Sequence, residues 1–365
     1  MKTSRPSSLV LLGSSLALSS VCRTQEPATH PSPNIRVDQV GFYPDAPKTA
    51  VVVVDTGPTP AHAIPAQAMP AQAMPERSMP ERSTPGPTTF AVVTADRGDT
   101  LFTGQLSAPR RWEASDEVVR QADFSALVRP GRYVLRVPGI GDSYPFSVGP
   151  SVMREVARAA LKAFYSQRAS VALPARYAGR WARAAGHPDT AVLVHASAAS
   201  AGRPPGTHIA APRGWYDAGD YNKYVVNSGI STYTLLALAD EFPAYAAGLD
   251  INIPESGNAL PDVLDEALWN LGWMRAMQDP VDGGVYHKLT NAEFSGFVVP
   301  AAATAPRYVV QKSTAATLDF AAVAARAALI ARRYARALPG LADSLVRESL
   351  FAWRWARQHP HVLYD

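Results

Sequence analysis

Asp217 and Asp220 lie three residues apart in segment 212–236, PRGWYDAGDYNKYVVNSGISTYTLL. Ala218 and Gly219 between them are small, so the spacing predicts a tight turn that points both carboxylates into one space. Two neighbouring carboxylates can hold and polarise one water molecule, and each influences the other's proton affinity. Trp215, Tyr216, Tyr221 and Tyr224 crowd the same stretch. Flat rings with polar edges suit sugars, whose C–H faces are apolar and whose rims carry hydroxyls. Three readings stay open from these residues alone: a water-activating pair, a plain turn ahead of a helix, or half of a structural calcium site.

The chain must position this segment with two kinds of element. Residues 34–148 read as a small β domain. IRVDQVGFYP, TAVVVV, TFAVVTA and RYVLRV are strand-length runs separated by Pro and Gly turns, which suggests an immunoglobulin-like β-sandwich. A tandem repeat interrupts it at 57–87, with MPAQA and MPERS units that hold proline in constant phase. Proline at that density removes backbone donors, so this insertion is expected to be a disordered loop. The β domain has no obvious stripe of exposed aromatics for grasping polysaccharide.

From 151 onward the pattern is helical. Ser151 is the expected cap of a first helix with the stripe Val152, Val156, Ala159, Ala160, Ala163 and Phe164. A second helix is expected over 225–241, apolar nearly all round. A third starts at Pro261 with Leu264, Ala267, Leu268, Leu271, Met274 and Met277 inward, and Glu266 solvating its first turn. A fourth starts at Ser313, and a fifth covers 341–358.

Composition narrows the function classes. The net charge is +4 and charged residues make up 18 % of the chain, below the usual share of about 25 %. The Arg110-Arg111 and Arg332-Arg333 pairs are isolated, so no nucleic-acid footprint is expected. Lys2 and Arg5 precede the apolar run SLVLLGSSLALSSV, which predicts a signal peptide over 1–22 and an exported protein. Cys22, the only cysteine, directly follows the run and is a candidate lipoprotein anchor. No later stretch reads as long and apolar enough to cross a membrane.

Several segments together resemble glycoside hydrolase family 9. GWYDAGDYNKY is similar to the family's GGWYDAGDYGKY signature, with Arg213 where the family has its first glycine. IPESGNALPDVLDEALWNLGWMRAMQDP, VDGGVYHK and KSTAATLDFAAV follow in the family's order. Upstream, AFYSQRASVALPARYAGRWARAAGHPD resembles FYxQRCGxxLP…HxDD, with Ala169 at the cysteine. NIRVDQVGFYPDAPKTAVV resembles the immunoglobulin-like module that precedes the catalytic domain in one branch. The likeness runs from about 34 to 365.

This resemblance implies an all-α (α/α)6 barrel over 151–365, here only its first helices, that hydrolyses β-1,4-glucan with inversion. By position in the motif, Asp220 is the general base, Asp217 holds the same water, and Trp215, Tyr216 and His287 contact sugar. No cofactor is required. Inversion needs an acid about 6.5–9.5 Å from the base, and one turn cannot serve both faces of the sugar. The family's acid, a glutamate near the barrel's C-terminal end, is expected beyond residue 365. Glu255, Glu266 and Glu293 do not occupy its motif, so the chain alone is expected to be inactive. The alternatives are a non-catalytic carbohydrate-binding remnant, or an exo-acting glucanase or glucosaminidase as the full-length parent.

Overall fold

The computed structural model describes residues 30–56 and 86–364 in two compact units, 1–152 and 153–365. The expected signal peptide, Cys22 and all but the end of the proline repeat lie outside the described residues.

Among its described residues the first unit has nine strands: β1 (Ile35–Arg36), β2 (Thr49–Thr56), β3 (Thr89–Thr94), β4 (Thr100–Gln105), β5 (Arg110–Trp112), β6 (Glu117–Asp123), β7 (Gly131–Val137), β8 (Gly141–Asp142) and β9 (Phe146–Val148). One sheet runs β1-β2-β6-β5. The other runs β4-β3-β7-β8, with β9 also on β7. Alternation assigns the faces: Tyr133, Leu135 and Val137 of β7 are buried, and the alternating Arg132, Val134 and Arg136 are more exposed. Val52 and Ala122 of the first sheet share one core with Val92 and Leu135 of the second. Phe42, Phe124 and Phe146 meet in that core at 5.2–5.7 Å between ring centroids. The run IRVDQVGFYP is strand only at Ile35–Arg36. Past it the chain bends, and Phe42 bridges Val148.

A buried tyrosine locks the turn into β7. The Tyr133 hydroxyl donates to the Arg129 carbonyl at 2.8 Å, the tyrosine-corner arrangement of immunoglobulin-like sandwiches. A side chain at Gly131 would start 2.6 Å from that hydroxyl, so this position must lack one.

The second unit carries α1 (Arg154–Ser166), α2 (Ala175–Ala178), α3 (Val225–Glu241), α4 (Pro243–Ala247), α5 (Asp262–Ala276), α6 (Thr314–Arg333) and α7 (Leu341–Gln358). The five expected helices are α1, α3, α5, α6 and α7. The expected helical domain forms, with a small sheet that the sequence did not indicate. Five short strands, β10 (Val192–Val194), β11 (His208–Ile209), β12 (Lys223–Tyr224), β13 (Lys288–Asn291) and β14 (Arg307–Val309), pair in the order β11-β10-β14-β13-β12. Strands of two to four residues show no readable period.

Four further expectations are corrected. Ser151 does not cap α1, whose N-cap is Met153 without a side-chain bond. The Val156, Ala159, Ala160 and Ala163 face of α1 is exposed, whereas Tyr165 is buried and Leu161 and Phe164 are partly so. Two aromatic rings bury more surface than an alanine stripe and decide the face. Helix α3 is not buried all round: Ile230, Tyr233 and Thr234 are exposed, opposite Leu235, Leu236 and Ala239. Finally, α6 is long and apolar enough to cross a membrane by length and composition. Its alanine-rich surface is instead mostly buried, against α3 and α7. Ser313 does cap α6, accepting from the Ala316 amide at 3.1 Å.

Tyr133→Phe keeps the packing and removes the hydroxyl bond. The expected loss of stability in the sandwich is about 1 kcal/mol, measured by urea unfolding of the parent and variant; equal midpoints would rule out the corner's contribution.

Candidate active site

Segment 213–224 crosses the second unit in an unusual backbone path. Arg213 and Gly214 are both left-handed, with φ of 66° and 82°. A side chain at Gly214 would meet the Trp273 ring at 2.8 Å, so only glycine fits. A non-glycine residue in this region costs on the order of 1–3 kcal/mol. Arg213 offsets part of that by lying 5.4 Å from the Trp269 ring centroid.

The turn that carries the aspartates follows. The Asp217 amide donates to the Asn222 carbonyl at 2.9 Å, and Tyr221 N–H to the Ala218 carbonyl at 3.2 Å. The left-handed residue of this turn is Tyr221, with φ of 59°, and not Gly219. Open space surrounds Gly219, so the expected need for glycine there is not what forms the turn. Asp217 is exposed and accepts from the Asn227 amide at 2.8 Å. Asp220 is half-buried and accepts from the Tyr224 hydroxyl at 2.9 Å and from Asn222 Nδ2 and N, both at 3.2 Å. Burial, reinforced by the hydrogen bond to Asp220, pushes the Tyr224 hydroxyl up to about 12. It therefore stays a proton donor to the carboxylate at any ordinary pH.

A cavity of about 160 Å³ adjoins the turn, lined among others by Trp215, Tyr216, Asp217, Tyr224 and Asn227. Trp215 and Tyr216 reach its wall, yet they are only 5 % and 3 % exposed. The Trp215 indole N–H donates to Glu266 at 2.7 Å. The Tyr216 hydroxyl lies 2.9 Å from His187 Nδ1. Pairing of β12 with β13 sets Lys288 opposite Tyr224, and the Val225 amide donates to the His287 carbonyl at 3.0 Å. The His287 backbone is thereby brought from a distant part of the chain to the start of α3, just past the aspartate turn, and its side chain does not line the cavity. Its Nδ1 is 2.8 Å from Ser313 Oγ, and Tyr364 stacks on its ring at 4.1 Å. Burial lowers the His287 pKa, which favours the neutral ring.

Two buried charge clusters hold the segment, and neither was assigned a role from the sequence. Ahead of the turn, Arg168 is 1 % exposed. It meets both Glu255 oxygens at 3.0 Å and the Glu266 carboxylate at 3.0–3.2 Å. Glu266 does not solvate its helix start; it is 1 % exposed, and burial raises its pKa against the pull of Arg168. Behind the turn, Lys223 is fully buried and lies 2.8 Å from Asp189, and Arg307 lies 2.9 Å from the same carboxylate. Burial lowers the Lys223 pKa to about 8. Its ammonium also donates to the Ala211 and Arg213 carbonyls, and Arg307 donates to that of Tyr221. Arg168, His187 and Asp189 lie within recognisable motif segments, but nothing in the residue order pairs them. Among the described residues, no group of three His, Cys, Asp or Glu side chains is placed to hold a metal ion.

The fold is thus a β-sandwich followed by a mainly helical unit that presents two aspartates on one aromatic-flanked turn. The sequence matches the family Glycosyl hydrolase family 9 over residues 154–365 and the Cellulase N-terminal ig-like domain over 30–142. The chain belongs to glycosyl hydrolase family 9, and its first domain is the immunoglobulin-like module. It is 42 % identical to a xyloglucan-specific endo-β-1,4-glucanase of Bacteroides ovatus, over 93 % of this chain and 53 % of that protein. It is 32 % identical to endoglucanase D of Acetivibrio thermocellus, over 75 % of this chain and 42 % of that one. The solved structure of a Bacteroides ovatus family 9 protein superposes with a TM-score of 0.79 at 41 % identity, covering 91 % of this chain and 55 % of that one. The chain spans about half the length of the curated relatives it matches.

His187, 6 % exposed, gives the site a pH signature. Burial, aided by the nearby Arg307 charge, lowers its pKa to about 4. Between pH 6.5 and 4 the unfolded chain takes up a proton here that the folded chain refuses, so acid favours unfolding by about 3 kcal/mol. Asp265 and Asp319, pushed up to about 6 by burial, act in the opposite sense in the same window. The comparison is therefore between variants: His187→Asn should lose less stability than the parent from pH 6.5 to 4 in denaturant titrations. Parallel pH profiles would show that His187 is not the group responsible.

Proposed function

We propose that the protein of which these residues are part hydrolyses β-1,4-linked glucan internally and with inversion. Asp220 is the general base that takes a proton from water, and Asp217 holds the same water. Trp215 and Tyr216 wall the sugar site, and His287 contacts the sugar beside the cleavage point. The observation that carries this reading is the state of Asp220: half-exposed, aimed by Tyr224 and Asn222, and three residues along one turn from a second, exposed carboxylate. A base must be oriented yet still reach water.

The acid is a separate group. Glu255 and Glu266 are both engaged by Arg168, which leaves neither available to protonate a leaving group. This reading places the acid in the part of its relatives' length that the chain does not span, with the helices here as the first of an (α/α)6 barrel. Without that acid the 365 residues alone are inactive. The chemistry needs no cofactor. The leader-like N-terminus supports export, which suits a polymer substrate too large to enter a cell. The name of the Bacteroides ovatus relative makes xyloglucan the first substrate to assay.

In the whole protein, Asp220→Asn should lower kcat on xyloglucan and cello-oligosaccharides about 10²–10⁴-fold and leave KM nearly unchanged. The first-formed anomer, read by NMR, should be inverted. Full activity in Asp220→Asn, or a retained anomer, overturns the assignment.

A further inference from the structure

A groove of about 570 Å³ crosses the sheet β1-β2-β6-β5, a volume within the range of about 300–1,000 Å³ typical of ligand sites. Register places its lining on the face turned away from the sandwich core. Arg36 pairs with Val51 and Val51 with Gln121, whereas the neighbouring Ile35, Val52 and Ala122 point into the core. On the other side Val119 pairs with Arg110, and Glu117 with Trp112. Trp112 is 51 % exposed on the edge strand β5. The Arg110 guanidinium lies 5.8 Å from its ring centroid.

The polar groups around this indole are arranged in complementary pairs. Arg36 donates to Glu117 at 2.7 Å through one nitrogen and meets its other oxygen through a second. Ser115 also donates to Glu117, at 2.7 Å. Arg111 is matched by Asp116. Gln121 is exposed, and its side-chain amide has no hydrogen-bond partner among the described residues. The groove therefore offers a flat apolar surface, a carboxylate acceptor, guanidinium donors and an amide that can do both. The lining carries two arginines, Arg36 and Arg110, against one carboxylate, Glu117, and Arg36 is matched by that carboxylate, so a net charge of about +1 is too little to select a polyanion.

The geometry points to a second sugar-binding site, on the immunoglobulin-like module: one pyranose ring stacks its C–H face on Trp112, and its hydroxyls bond Gln121, Glu117 and Arg110. The ligand is a neutral glycan chain, and its identity as β-1,4-glucan rests on the function proposed above. Such a site would hold polymer to the protein independently of the aspartate turn. One tryptophan set among polar groups, rather than a stripe of aromatics, is why the sequence does not disclose it.

Hydroxyl-radical footprinting of the 365-residue chain, with cellohexaose or a xyloglucan oligosaccharide, separates the two sites. Saturable protection of Trp112 is expected. Protection of Tyr221 and Tyr224 without Trp112 overturns the groove and leaves the hydrolase reading standing. Protection of Trp112 alone supports the groove and counts against the cleft. Protection of neither overturns the groove as well. In affinity electrophoresis through xyloglucan, Trp112→Ala should weaken apparent binding about tenfold, and Trp112→Phe should restore most of it. Trp353→Ala, which removes another half-exposed indole, should leave retardation unchanged. Equal retardation of parent and Trp112→Ala would overturn the site.

Discussion

A buried charge cannot drift from its partner, because an unpaired ion in a protein interior costs several kcal/mol. The second domain uses this constraint twice. Arg168 lies just past α1, Glu255 in the loop ahead of α5, and Glu266 within α5. Their ion contacts fix where the start of segment 213–224 enters the fold, since Trp215 donates to the same Glu266. Asp189, Lys223 and Arg307 fix where the segment leaves. Breaking either cluster strands a charge, so the fold holds both ends of the segment at once.

Between those anchors the chain can expose two carboxylates without letting them wander. The contrast within a few residues is sharp. Lys223 is wholly buried, whereas Asp217, six residues earlier, is open to solvent. Asp220 is aimed by neighbours on its own turn and on β12, and Asp217 by Asn227 one turn into α3. The short sheet explains why a helical domain contains strands here. Pairing β12 with β13 is the device that carries the His287 backbone to the start of α3, just past the aspartate turn. The left-handed backbone at Arg213 and Gly214 brings Gly214 close against Trp273, where the fold has no room for a side chain.

The sandwich shows a different balance. Its β-branched runs and its turns at Pro130-Gly131 and 138–141 are legible because they are local; burial alternates along β7, whereas register shifts in β2 and β3 bury Val52 with Val53 and Val92 with Val93. The same period hides the outer face, where Arg, Gln and Trp read as ordinary solvated residues until the strands are paired. Only registry assembles Arg36, Gln121, Glu117 and Trp112 into one groove.

The sequence by itself determined the order of the two domains, the long helices, the helix start at Ser313 and the aspartate turn with its aromatic setting. These are local, and periodicity, capping and spacing report on local structure. It did not determine which face of α1 is buried, that Glu266 is an interior ion, or that α6 is packed inside the protein. It also did not show that Asp189, Lys223 and Arg307 meet. Those depend on contacts between residues as many as 118 apart, from Asp189 to Arg307. A buried carboxylate and a solvated one have the same letter, and only the packed fold supplies the desolvation and the partner that distinguish them.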